Sequence, residues 1–329
     1  MNDRTPDNVE RLGTAAGPSA PTSVPLCLPK PERFGTPALP KTSPALTRLN
    51  DMVVSALGTV QRDWLRGLHH RPFEGEGEHG LADRMAERLD HVELRRQLNI
   101  EAVLQRAVRI LPTTIDEGAI DPDWGARFFT GVADTADAEM VRLWARLLVM
   151  EVRRPGIVAP VVIARLPSLS VEGLRLFKRF AAFAINNFVV RLSQEFFDGK
   201  DVTADHILLL EEYGLVRTNR DLNRVFQSQH SDKFSTNLLY ADKALRITHT
   251  DSSKQLTLGC YRLTEFGTAL GHALLAEGDI RSDTDYIVEL VRMVQGQGFQ
   301  TAQADILERA DEQLVSRHSS FCDIAVLRR

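Results

Sequence analysis

The chain has 329 residues, a formal net charge of −4 at pH 7 and a pI near 6.2. That length supports two or three small domains with a sizeable core, and the balanced charge excludes a global attraction to nucleic acid or anionic membrane. Cys27, Cys260 and Cys322 are far apart and odd in number, which gives neither a disulfide framework nor zinc spacing and suits a reducing compartment. The acidic, polar start MNDRTPDNVE is not a signal peptide. The longest apolar runs, such as residues 156–164, fall well short of the roughly 18 residues that span a bilayer. The expectation is a cytoplasmic protein without membrane contact.

Residues 1–44 hold nine prolines among serine, threonine and alanine, a composition that buries too little surface to offset ordering entropy and reads as a disordered arm. Residues 45–112 read as two amphipathic helices. The first, Ala45–Leu68, carries Leu46, Leu49, Val53, Leu57, Val60 and Trp64. The second, Leu81–Leu111, carries Met85, Leu89, Val92, Leu98, Val103 and Val108. They suit a hairpin or a self-associating arm. The polar linker between them, His69–Gly80, holds His69, His70, Glu74, Glu76, Glu78 and His79, but a glycine-rich loop lacks the fixed geometry of a metal site. Its Gly75–Gly80 run fits GxGxxG without the preceding strand that a dinucleotide site needs, and its glutamates repel phosphate.

Residues 113–198 carry the strongest helical signal. Asp121-Pro122 opens a helix with Trp124, Phe128 and Phe129. Thr135 or Asp137 caps a second, on which Met140, Leu143, Trp144, Leu147, Leu148 and Met150 form one stripe with Arg142, Arg146 and Val149 outside it. Pro155-Gly156 stops that helix. Pro160 opens a short helix through Leu166, and Ser170 caps a long one carrying Leu174, Phe177, Ala181 and Ala184. Glu151 projects onto the apolar stripe at a helix C-terminus, where the dipole disfavours it. It reads as a structural acid, paired with an arginine or capping the next helix, because no second catalytic group lies nearby.

Residues 199–279 change texture. Thr203 caps a helix through Tyr213, Gly214 ends it, and Leu215–Arg217 reads as a short strand. Two strand-like runs, Asn237–Thr248 and Gln255–Leu263, flank the turn residues Thr250–Ser253 and predict a hairpin, followed by a helix capped by Thr264. This order resembles a winged helix. Residues 280–329 predict a helix from Asp283 to Val294, a last helix over Ala304–Leu314 and a mobile tail. His318, Ser319, Ser320 and Cys322 in that tail lack the rigid scaffold a catalytic set needs.

Several segments in order resemble the DUF2806 family of uncharacterised bacterial proteins. They are RRQLNIEAVLQRA (Arg95–Ala107), DPDWGARFF with AEMVRLWARLLVMEVRRPG and LPSLSVEGLRLF, and LLLEEYGLV with YRLTEFGTAL. The resemblance covers roughly residues 85–300 and implies a helical core followed by a winged-helix-like region, with no assigned activity. The LWARLL helix followed by LPSLS is also similar to the abortive-infection alpha group of phage-defence proteins.

The expected fold is mainly α, a helical core with a small winged-helix-like α+β region. No catalytic set, cofactor site or metal site is recognised, so the expectation is a non-enzymatic protein that acts through a protein partner or self-association. The alternative is a nucleic-acid-binding component of a bacterial phage-defence or regulatory system. In that case Arg217, Arg220, Arg224, Lys233 and Lys243 are the contacts, since the helix ADHILLLEEYG brings no lysine or arginine.

Overall fold

The computed structural model describes residues 44–60, 80–228, 231–276, 278–309 and 315–324. The chain divides into two units, Met1–Asp51 and Met52–Arg329. The described part of the first is residues 44–51, the opening of helix α1 (Pro44–Leu57). Gly58, at φ +92°, ends α1 before the expected Leu68. The expected disordered arm up to residue 43 and residues 61–79, which hold the histidine- and glutamate-rich linker, lie outside the described residues.

In the second unit, α2 (Leu81–Val108), α3 (Pro122–Ala133) and α4 (Ala138–Arg153) build a helical layer. Asp121 caps α3 by accepting from Asp123 N, with Pro122 at the first position. Asp137 caps α4 through Glu139 N and Met140 N, while Thr135 Oγ1 accepts from Trp144 Nε1 at 3.1 Å. Trp124 stacks on Phe128 at 5.0 Å, and Phe128 meets Trp144 edge-on at 5.1 Å. Ala145 and Val149 are buried along with the expected stripe, so Val149 does not lie outside it. The reason is that α4 packs against α2 and, from the other side, α9 (Glu265–Ala276). A helix buried on both sides is apolar nearly all round.

Helix α5 (Pro160–Arg165) runs into a 3-10 turn at Leu166–Ser168, and α6 (Val171–Ala181) is capped by Ser170. The expected continuation of α6 through Ala184 is not helical. Ala184–Ile185 (β1) and Phe188–Val190 (β2) form a hairpin across Asn186, at φ +52°, and Asn187. Asparagine tolerates that left-handed conformation. Then come α7 (Gln194–Asp198), α8 (Ala204–Glu212), β3 (Val216–Arg217) and β4 (Asn223–Phe226), the last between the expected short strand and the first expected strand-like run. The run expected as one strand over Asn237–Thr248 is two, β5 (Phe234–Tyr240) and β6 (Lys243–His249), joined at Ala241-Asp242 with Ala241 at φ +45°. After β7 (Leu256–Leu263) and α9 comes α10 (Thr284–Gly296), capped by Asp283.

The segment expected as a helix over Ala304–Leu314 begins as strand. β8 (Gln300–Arg309) pairs with β6 over six positions, and β9 (Val315–His318) and β10 (Cys322–Asp323) pair with β8 in the expected tail. The described strands form one ten-stranded antiparallel sheet, in the order β10-β8-β6-β5-β1-β2-β7-β3, with β4 beside β7 and β9 beside β8. The protein is therefore α+β rather than mainly α. The expected β6–β7 hairpin does not exist: β6 lies between β5 and β8, and β7 pairs with β2, β3 and β4. Those strands belong to the large sheet, so the expected wing is not a separate hairpin.

A single hydrophobic cluster runs from Val103 to Phe299. Its tightest backbone approach is where α9 crosses the α8–β3 connection: a Cβ on Gly267 would lie 2.1 Å from the Leu215 carbonyl oxygen. Thr264 Oγ1 fixes that crossing by donating to Gly214 O at 2.6 Å. Gly125, by contrast, has open space around it within α3. Gly267→Ala should therefore destabilise by about 2 kcal/mol or more through overpacking against backbone, and Gly125→Ala should stabilise by about 0.5–1 kcal/mol. Urea melts of the two variants should move in opposite directions from the parent.

Candidate functional site

Glu151, at the end of α4, is 1 % exposed. Its two oxygens accept from Gly156 N at 2.6 Å and Val158 N at 2.9 Å. Of the two expected partners, an arginine or the start of the next helix, the arginine is not seen: the partners are backbone amides of the turn that leads into that helix, which starts at Pro160. The carboxylate pins the turn that follows α4, and Trp124 Nε1 donates to Val158 O in the same turn at 2.8 Å. Both oxygens accept from the backbone.

The expected cationic residues divide into two groups. β3 and β4 lie end to end along the outer edge of β7, which brings Arg217, Arg220 and Arg224 to one border of the sheet. Arg262, not singled out in the sequence, joins them: it sits directly across from Arg217 on one side and Phe188 on the other. Arg224 lies over the Phe188 ring at 6.0 Å. Burial pushes the Cys260 thiol up, and the field of Arg191, Arg224 and Arg262 pulls against it, so three guanidiniums converge on this point. Among the described residues none of Arg217, Arg220, Arg224 and Arg262 takes part in an ion pair.

The loop between β3 and β4 is held from behind. Arg191, over the Tyr261 ring at 5.0 Å, donates to the carbonyls of Arg220 at 2.8 Å, Asn219 at 2.9 Å and Cys260 at 3.1 Å. Lys233, just before β5, is exposed, and its carbonyl accepts from Ser228 Oγ at 2.6 Å. Lys243 is not part of this border. Its row across the sheet runs Arg217–Arg262–Phe188–Ile185–Tyr240–Lys243, five strand spacings or about 24 Å away. There Lys243 is bound to Asp305, with Asp242 also close, and those contacts raise its pKa.

A second surface is helical. The C-terminal half of α2 packs through Asn99, Val103 and Ala107, with Asn99 Nδ2 donating to Ala133 O at 2.7 Å and both Arg95 and Arg96 bound to Asp134. At about 100° per residue the same stripe continues back through Leu89, Met85 and Leu81, which are half exposed. On the opposite side Leu94, Leu98 and Val108 are 62, 57 and 67 % exposed. Seven of the 17 exposed large apolar side chains among the described residues lie on this one helix, which marks it as unusual. Among the described residues no group of three histidine, cysteine or acidic side chains is placed to hold a metal. No described helix is long and apolar enough to cross a membrane.

These features define an α+β protein whose distinctive chemistry lies on its surfaces, an apolar helix and an arginine border. Residues 83–198 match the model of a family described as protein of unknown function (DUF2806), so the chain carries a DUF2806 domain reaching from α2 to the end of α7. The match ends before LLLEEYGLV and YRLTEFGTAL, through which the sequence resemblance extended to about residue 300. Comparison with curated proteins and with solved structures gives no match.

Glu151→Gln would replace one acceptor oxygen by an amide NH2 facing a backbone N–H. The expected cost is about 1–3 kcal/mol of stability, read as a lower midpoint in urea. An unchanged midpoint would remove the structural role.

Proposed function

We propose that this is a non-enzymatic cytoplasmic protein that acts through protein contacts as a homo-oligomer, with α2 as the contacting element. The observation that supports this reading is the pair of apolar rows on α2. One is buried in its own core at Asn99, Val103 and Ala107, and the other carries Leu94, Leu98 and Val108 into solvent. A helix apolar on two sides is stable between two layers, and the chain's own layer covers one. Burying each of the three exposed side chains contributes about 1 kcal/mol, the scale on which a few central residues carry an interface.

Light scattering after size-exclusion chromatography should show an oligomer. Leu94→Glu with Leu98→Glu should give a monomer with the parent's circular dichroism, because neither side chain supports the core. A monomeric parent at its highest soluble concentration would overturn the reading.

One observation favours a second reading, a nucleic-acid-binding component of a bacterial phage-defence or regulatory system. Arg217 and Arg262 face each other directly across β3 and β7. Like charges in such a pair are destabilising, and a phosphate between them would relieve the repulsion through bidentate hydrogen bonds. Anisotropy of labelled duplex DNA should rise on binding at low salt. Arg217→Ala with Arg262→Ala should weaken binding and shallow the log–log salt dependence by about 0.9 for each phosphate no longer neutralised. Equal affinity in parent and variant would remove this border from consideration.

A further inference from the structure

The border that carries the arginines also exposes a strand edge. Among the described strands β4 pairs with β7 alone. Antiparallel neighbours exchange backbone hydrogen bonds only at alternate opposed pairs, and the other partners of β7 fix which pairs these are. Cys260 N donates to Leu222 O at 3.0 Å, so Arg224–Leu258 and Phe226–Leu256, two and four residues further along, are the bonded pairs of β4. Gly259 and Thr257 turn their backbone groups the other way. Gly259 O accepts from Arg191 N at 2.8 Å, and the Gln297 side chain takes Thr257 N at 3.4 Å and Thr257 O at 3.0 Å. The residues opposed to them, Asn223 and Val225, therefore direct N–H and C=O away from β7, to the side where the sheet ends. Both are exposed, Val225 at 48 %.

An open edge accepts any extended chain unless it is blunted, and charge is a common means. Here the charge is mainly of one sign. Arg224 shares a sheet face with Arg262 and Arg217, because Leu258 and Arg262 are an even number of residues apart on β7. Arg220 lies in the loop that leads into β4. All four are exposed. Two carboxylates stand nearby, Asp221 in that loop and Glu211, which feels the field of Arg217 and already accepts from Thr218 N at 2.9 Å. The balance is positive. A second copy offering the same edge would set these arginines against one another, and like charges on adjacent strands are destabilising. The edge thus selects against self-pairing and in favour of an acidic strand.

We propose that β4 is a docking edge for an extended segment of another protein in which acidic and apolar residues alternate. The segment adds as a strand beyond β4, with its backbone bonded to Asn223 and Val225. Its acidic side chains lie on the face of Arg217, Arg224 and Arg262, and its apolar ones lie on the face of Val225. Backbone pairing supplies the affinity, and the alternation supplies the selectivity. This docking edge uses arginines of the nucleic-acid reading without resting on that reading, and it is a different surface from α2.

Anisotropy of labelled peptides with the full chain tests the proposal. The peptide EVEVEV should bind at least tenfold more tightly than KVKVKV. It should also bind at least tenfold more tightly than an EVEVEV peptide N-methylated at every residue, which keeps the charges and loses the N–H donors. Val225→Pro removes one outward N–H at a place where an edge strand accepts proline. That variant should keep the parent's melting temperature and weaken EVEVEV at least tenfold. If it melts early, the N-methylated peptide with the parent decides alone. Arg224→Glu should narrow the preference for EVEVEV over KVKVKV at least fivefold. No binding of EVEVEV, or binding undiminished by N-methylation, would overturn the assignment. Duplex DNA bound equally by the parent and Val225→Pro, with EVEVEV unbound, would also overturn it and leave the border to nucleic acid.

Discussion

The burial of α4 on two sides is the constraint from which the rest of the architecture follows. Trp144 and Leu147 are inaccessible to solvent, and α2 and α9 close over the helix from different directions. Near the end of that helix Glu151 is buried, and a buried carboxylate needs partners. Glu151 meets that need by accepting from two amides of the turn that follows. The same turn lends its Val158 carbonyl to Trp124, which ties α3, α4 and the start of α5 together.

That enclosure bears on what the family segment is. The DUF2806 match ends at residue 198, yet α9, which covers one side of α4, spans Glu265–Ala276. The matched segment therefore completes its core with chain from beyond its own boundary. The sheet is bound to the helical layer by the same route, because α9 follows β7 directly and its Gly267 rests against Leu215. The helical layer leaves one apolar row of α2 uncovered at the far side, and the sheet leaves its arginine-bearing border open.

The helices are legible in the sequence because their signals are local. Capping residues, proline at first positions and apolar spacing fix α3, α4, α6, α8 and α10 to within a few residues. The strands are less so. Asn186-Asn187 and Ala241-Asp242 are two-residue hairpin turns without glycine, so the pattern suggests a continuous helix and a continuous strand where the chain reverses. Residues Gln300–Arg309 are rich in helix formers, and pairing with β6 overrides that preference. The pairing of β7 with strands from three separate places is set by the whole sheet, and no spacing in the sequence encodes it. At the candidate sites, the sequence offers Arg217, Arg220 and Arg224 as candidate contacts, and β3 and β4 bring these three to one border of the sheet. It groups Lys243 with them and omits Arg262, because proximity across strands depends on register.

The position of β8 has a consequence for how the chain is made. β6 lies inside the finished sheet, but its partner on one side is assembled from residues 300–309, after two intervening helices. During synthesis β5 and β6 can pair at once through their short turn, while the other edge of β6 waits with its backbone groups open. A nascent chain, or one cut before residue 300, presents that edge to any extended segment nearby. The last strands thus act as a seam that covers this inner edge of β6 once residues 300–309 are in place.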